Sequence, residues 1–408
     1  MLELNYNFLH WFKRHHFLYM FGFFLNFRPI TPFYHEMLVT TKNITDQEYY
    51  ERLYPVSTYS AVIVSFIIFI CINFCLFNYL LVLGCVGGLV FSIAMWQTDT
   101  VGSLQVAEVF EGCFVATEII YFASIYVCHD LKLSFAAKTA SIRVVPVVAQ
   151  LTAAILAQLL VTNGWLNLTE ITFLGVPACA HSILLVYHLP SMFELQAIPE
   201  NFLPKLSFFK KKLKDTFSNH HVVQYSLWIA FTMSGYAQIS FTMQTLWRQS
   251  QIEDSEAPYN GAIEGICSFL SLLGILLGAT LKPNFKRQNA LLSVTSLLQC
   301  SLLFGFAYVS NTWERTILYI VLNLVYHFVI TRITAIVAES ANSKACFGTV
   351  FSFIGLIYSI LNLVFACVIN NNEIYLTVQQ QFTVYGGYHF VAALLMAYVY
   401  VVSFWCKS

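Results

Sequence analysis

Apolar runs of about 17 to 25 residues, each able to cross a hydrocarbon core as a helix, recur along almost the whole chain and constrain its fold more than any other feature. Twelve read as spans, near residues 17–34, 55–77, 79–98, 103–128, 139–162, 169–189, 222–246, 260–281, 288–309, 315–339, 346–369 and 384–404. Only 10% of the 408 residues are charged, too few to coat a soluble core, for which roughly 25% is usual. The expectation is an all-α integral membrane protein with about twelve transmembrane helices in two six-helix bundles. Pro29 and Pro32, in RPITPF, break the first span. A cleaved signal peptide is the competing reading of that run, but the small-residue cleavage pattern is missing. Broken helices are tolerated where the freed backbone faces protein or an aqueous cavity.

With the amino terminus placed in the cytoplasm, fifteen of the 21 Lys and Arg fall on the inner side, among them Lys13, Arg14, Lys132, Lys282, Lys344 and Lys407. The positive-inside rule then gives twelve spans with both termini cytoplasmic. The sequon at Asn43, in Asn43-Ile44-Thr45, falls on the predicted outer side and is a glycosylation candidate. The expected domains are a six-helix bundle over 1–190, a basic cytoplasmic linker over 191–221 containing FFKKKLK, and a second six-helix bundle over 222–408. The linker lysines read first as a topology determinant, with regulated lipid binding as the sharper alternative. Two bundles rocking about a midplane site suggest a transporter.

Charges inside spans are costly and mark function or pairing. In the fourth span Glu108, Glu111, Glu118 and Tyr121 share one helix face. Glu108 and Glu111 are expected to meet water or take up protons, whereas Glu118, halfway along, needs a partner. Arg28, Arg143 and Arg332 are the protein candidates, and Arg332 also has Glu339 on its own helix; Glu264 is a further intramembrane acid. These charges serve either helix packing or coupling. Alternatively Glu118 attracts a cationic substrate, with Tyr121 offering an aromatic face. Most of the eleven cysteines sit inside spans, as small buried hydrophobes do. No phosphate cradle, metal-ligand spacing, nucleic-acid site or enzyme pattern stands out, so neither cofactor nor metal is expected. GCVGG, Gly84 to Gly88, reads as a close helix-packing surface.

NFRPITPF (Asn26 to Phe33), YPVSTYS (Tyr54 to Ser60), EVFEGCFVATEIIYFASIY (Glu108 to Tyr126), PYNGAIEG (Pro258 to Gly265), CFGTVFSFIG (Cys346 to Gly355) and QFTVYGGYHF (Gln381 to Phe390) resemble, in order and spacing, the reduced folate carrier and thiamine transporter family. The resemblance implies a major-facilitator fold, a plasma-membrane location and uptake of a water-soluble B vitamin without ATP. In the thiamine carriers a glutamate and a tyrosine at the positions of Glu118 and Tyr121 contact the cationic vitamin. Thr31 stands where those carriers have an acid, and Ser57 where they have a tryptophan that stacks on the ligand. The charged turn usual after the second span is replaced by NFCLFNYL, Asn73 to Leu80. Asn323 and Tyr358 stand where the folate carrier has basic residues.

The expected substrate site is Glu118 and Tyr121 with Thr31 and Ser57, and with Gln238 and Gln244 from the seventh span. A folate-type or thiamine-type vitamin is the expected partner, with a coupled proton or organic anion and membrane lipid beside it. The alternatives are carriage of a related organic cation, and a relative that binds or interacts without transporting.

Overall fold

The computed structural model describes residues 16–74, 77–127, 133–189, 202–254, 259–281, 285–309, 311–341, 346–369 and 376–405. The start of the expected linker and Lys13, Arg14, Lys132, Lys282, Lys344 and Lys407 lie outside the described residues.

Helices stand at all twelve stretches expected to span. They are α1 (16–26), α3 (Asp46–Cys71), α4 (Phe77–Gln97), α5 (Val101–Val127), α6 (Phe135–Thr162), α7 (Leu168–Val186), α9 (His220–Asp254), α10 (Asn260–Thr280), α11 (Phe285–Tyr308), α12 (Thr312–Ser340), α13 (Phe347–Ile369) and α14 (Val378–Trp405), with a short α2 (Tyr34–Thr40) after α1. Among the described residues, nine are long and apolar enough to cross a membrane; α1, α5 and α9 are the three others. A further helix, α8 (Phe202–Thr216), lies inside the expected linker, where the sequence reading placed none.

The break in the first span follows the prolines. Helix α1 stops at residue 26, and the chain turns through Thr31–Phe33 before α2, with Pro32 inside that turn. The loop beyond is held by Lys42, whose buried ammonium donates to the Thr98 carbonyl at 2.9 Å and to Asp99 at 2.7 Å. Thr45 and Glu48 cap one another's backbone to start α3, a reciprocal pairing that satisfies two otherwise orphaned N–H groups. Asn43 is exposed in that loop.

Small residues set the closest helix approaches. The GCVGG surface of α4 lies on α5, where Gly84 faces Thr117 and a Cβ on Gly87 would come within 2.8 Å of the Phe110 carbonyl. On α10, Cβ atoms on Gly274 and Gly278 would lie 2.6 and 2.5 Å from the Leu324 and Phe328 carbonyls of α12. That spacing of four seats backbone on backbone. Helix α6 packs on α10, and α13 packs on α3 and α5, so the first and second halves of the chain meet along these contacts.

The two ends of the molecule are built differently. At the end carrying α8, called here the linker end, one apolar core joins both halves and includes Leu18, Ile72, Phe77, Tyr126, Val222, Ile333, Phe347 and Phe351. At the opposite end, which carries Asn43, each half keeps its own core. Phe241 of α9 bridges them, stacked on Tyr49 and Tyr54.

Candidate functional site

Between the halves lies a cavity of about 470 Å³, within the range usual for small-molecule sites. Its wall takes Arg28 and Thr31 from the α1 break, Glu111, Glu118 and Phe122 from α5, Arg143 from α6, Tyr236 and Gln244 from α9, Glu264 from α10, Tyr326 and His327 from α12, and Tyr358 from α13. Thus the break after α1, together with α5 and α9, which fall short of span-like apolarity, supplies much of its polar surface.

The break in α1 turns Arg28 inward, and its guanidinium donates both arms to Glu111 at 2.8 and 2.7 Å. It also sits over the rings of Phe91 and Phe114, 4.9 and 4.6 Å from their centroids. A two-armed arginine–carboxylate bond is the strongest such geometry available in a desolvated site. Glu108 is buried and accepts from the Tyr34 hydroxyl of α2. Both acids therefore have protein partners, and Glu111 also stands on the cavity wall.

Glu118 is different. Among the described residues no hydrogen bond or ion pair reaches its carboxylate, which looks into the cavity. Of its three candidate partners, Arg28 is taken by Glu111. Arg332 donates to the Leu281 carbonyl at the linker end of α10, and Glu339 is exposed there. Arg143 shares the cavity wall with Glu118 but has its guanidinium over the Phe122 ring, 5.2 Å from the centroid. Glu264 accepts from the Tyr319 hydroxyl at 3.2 Å.

The other expected site residues divide. Gln244 and Thr31 come together on the wall, with the glutamine amide donating to the Thr31 carbonyl at 3.1 Å. Tyr121 is fully buried away from the cavity, its ring tilted against Phe21 and its hydroxyl end against Gly22. Ser57 donates to the Tyr54 carbonyl at 3.1 Å, off the wall. Gln238 is also off the wall, donating to the Tyr54 hydroxyl at 2.7 Å and to Asn362 at 3.2 Å.

Sequence reasoning missed an aromatic wall. Tyr236 and Tyr326 stack in parallel, 3.8 Å between centroids, with His327 edge-on to Tyr326 and Tyr358 nearby on the lining. The Tyr236 hydroxyl donates to Asn323 at 2.5 Å. Their signal was available as polar aromatics within apolar spans, although no spacing distinguishes them from core tyrosines.

A cavity with an acid and a guanidinium that make no ion pair among the described residues, and with stacked tyrosines, suits a planar, charged organic solute. The comparisons with known proteins agree with a carrier. The reduced folate carrier family profile matches residues 9–195 and 193–384. The chain is 28% identical to folate-like transporter 3 of Caenorhabditis elegans, over 93% of this chain and 94% of that one. It is also 28% identical to thiamine transporter 2 of Mus musculus, over 94% and 89%. Among solved structures it is similar to a human organic anion transporter, with a TM-score of 0.65 and 14% identity over 93% of this chain and 97% of that one. It also matches a D-xylose–proton symporter, with a TM-score of 0.65 and 12% identity over 94% and 97%. The fold is that of major-facilitator transporters.

Proposed function

This chain belongs to the reduced folate carrier family, a multi-pass membrane transporter and not an enzyme, and from that premise we propose that it imports a cationic, thiamine-type vitamin across the plasma membrane. In this reading residues 1–190 and 222–408 form two bundles that rock about the cavity, giving alternating access. Asn43 faces outward and is glycosylated, and the linker end and both termini are cytoplasmic.

One observation carries the substrate choice. The cavity wall holds three carboxylates, Glu111, Glu118 and Glu264, against two guanidinium groups, Arg28 and Arg143. Once Arg28 and Glu111 neutralise each other, two acids face one cation, a balance that favours a positive solute over a dianion. Glu118 is then the charge partner of the substrate. The tyrosine wall supplies a face for a heteroaromatic ring, the role the missing tryptophan at Ser57 would have played.

Arg143 favours a second reading. It faces the cavity outside any ion pair the described residues make within 4 Å, and could receive one carboxylate of a folate. The folate-like relatives make this the competing substrate.

Initial-rate uptake of labelled thiamine and labelled reduced folate, measured side by side in cells lacking their own carriers, separates the two. Saturable thiamine uptake that falls at least about tenfold in Glu118→Gln, with surface expression unchanged, is the expected result. Folate uptake that depends on Arg143 replaces it with the second reading. Uptake of neither vitamin at normal surface expression overturns both vitamin readings and leaves carriage of a related organic cation or binding without transport.

A further inference from the structure

Helix α8 is amphipathic in a way the transport reading does not use. At 100° per residue, Phe209, Lys212, Leu213 and Thr216 fall on one face and Lys210, Lys211 and Lys214 on the opposite one. The first set is half-buried or buried, and the three lysines of the second are exposed, with Asp215 at their edge.

The docked face is held by rings from both halves. Phe209 lies 6.2 Å from Phe69 of α3 and 6.0 Å from Phe74 just beyond it. Phe217, after α8, lies 4.9 Å from Phe353 of α13, and Phe353 lies 6.3 Å from Phe69. The helix thus straps the seam between α3 and α13.

That seam borders the lipid-facing surface. Phe66 and Ile70, on either side of Phe69 along α3, are 55% and 37% exposed on the apolar belt. A helix docked on Phe69 and Phe74 lies where that belt ends. Lysine stems reach several ångströms from the backbone and carry their charge to the headgroup layer while their methylenes stay with apolar neighbours.

We propose that the Lys210, Lys211 and Lys214 face of α8 is a docking surface for the anionic headgroups of the adjacent membrane leaflet. Exposure alone would suit any anion, but the margin of the apolar belt selects a lipid surface. Each basic side chain held near an anionic leaflet adds to its attraction, and these three share one helix face. This face is remote from the cavity and does not depend on which vitamin is carried.

The test uses the full-length protein in detergent micelles, with phosphatidylserine, phosphatidylcholine or soluble pyrophosphate added as probes. Lipid retention is read by native mass spectrometry and stability by thermal midpoint. Phosphatidylserine is expected to be retained in preference to phosphatidylcholine. The preference falls about tenfold or more in K210Q/K211Q/K214Q and persists in K210R/K211R/K214R, both with the wild-type midpoint in phosphatidylcholine. Equal retention in the glutamine variant overturns the proposal. So does stabilisation by pyrophosphate equal to that by phosphatidylserine, which would make the face a free-phosphate site. Absence of any preference in the wild type overturns it as well and leaves the lysines to water or a protein partner.

Discussion

The two ends of this transporter close by different physics. At the Asn43 end, Arg248 of α9 reaches across to Glu36 of α2 at 3.6 Å and to Asp46 of α3 at 3.4 Å. The Tyr50 hydroxyl pairs with Thr245 at 2.8 Å beside it. At the linker end the halves meet without charge among the described contacts: Asn73 accepts from Thr349 at 2.7 Å, Ser65 pairs with Ser359 at 2.9 Å, and Tyr126 stacks near Phe347 and Phe351. One end is a polar latch between two separate cores; the other is a continuous apolar seal. The NFCLFNYL stretch, which stands where the resemblance places a charged turn, follows α3 at this seal, and Asn73 makes its hydrogen bond there. A charged latch is responsive to the medium, whereas an apolar seal depends on fit.

The seal should break by overpacking. A Cβ on Gly348 would lie 2.9 Å from Ile72 and 3.0 Å from the Phe77 ring, so Gly348→Val forces those side chains apart at a cost of about 1–3 kcal/mol. The expected outcome is uptake lowered more than about tenfold and faster labelling of Cys346 by a membrane-impermeant maleimide in inside-out vesicles. Unchanged labelling would show that the seal yields without opening.

Charge reversal tests the latch. Arg248→Glu places a third acid beside Glu36 and Asp46 and should open the Asn43 end, raising severalfold the external labelling of a cysteine placed at Ser240 on the cavity wall. Adding Glu36→Arg should restore part of the protection, which a merely misfolded protein would not do.

Smaller effects sharpen the contrast. Thr349→Val removes one neutral buried bond and leaves the Asn73 amide oxygen short of a donor, an expected loss of about 1 kcal/mol in thermal stability with little change in salt response. Raising ionic strength should loosen the latch about twofold or less, because Asp46 is 44% exposed but its 3.4 Å pair is shorter than the screening length of about 8 Å at physiological salt. The same salt should leave Cys346 labelling unaltered; a parallel change at both ends would mean they are not independent.

The architecture was legible because span length is fixed by membrane thickness and shows in the apolar runs, and because Pro29 and Pro32 cannot continue a helix. Helix α8 was not, since a half-polar linker gives no span-length signal, although Phe209, Leu213 and Thr216 carried its spacing. The site was legible in part. Helical spacing put Glu108, Glu111, Glu118 and Tyr121 on one face but could not say what each would meet. Across the chain, Tyr34 meets Glu108, Arg28 meets Glu111 on the cavity wall, Gly22 makes room for Tyr121, and Glu118 faces the cavity with no hydrogen bond or ion pair among the described residues. Those assignments depend on which helices become neighbours, which no local pattern encodes.

The neutral seal also bears on electrical behaviour. When the contacts of Asn73, Ser65, Tyr126 and their partners part, no ionised group among them moves through the membrane field, where each elementary charge would be worth about 2.3 kcal/mol per 100 mV. Opening that end is therefore electrically silent as far as these contacts are concerned. Any voltage dependence of flux would then report on the charges of the cavity wall, the Arg248 latch and the cargo.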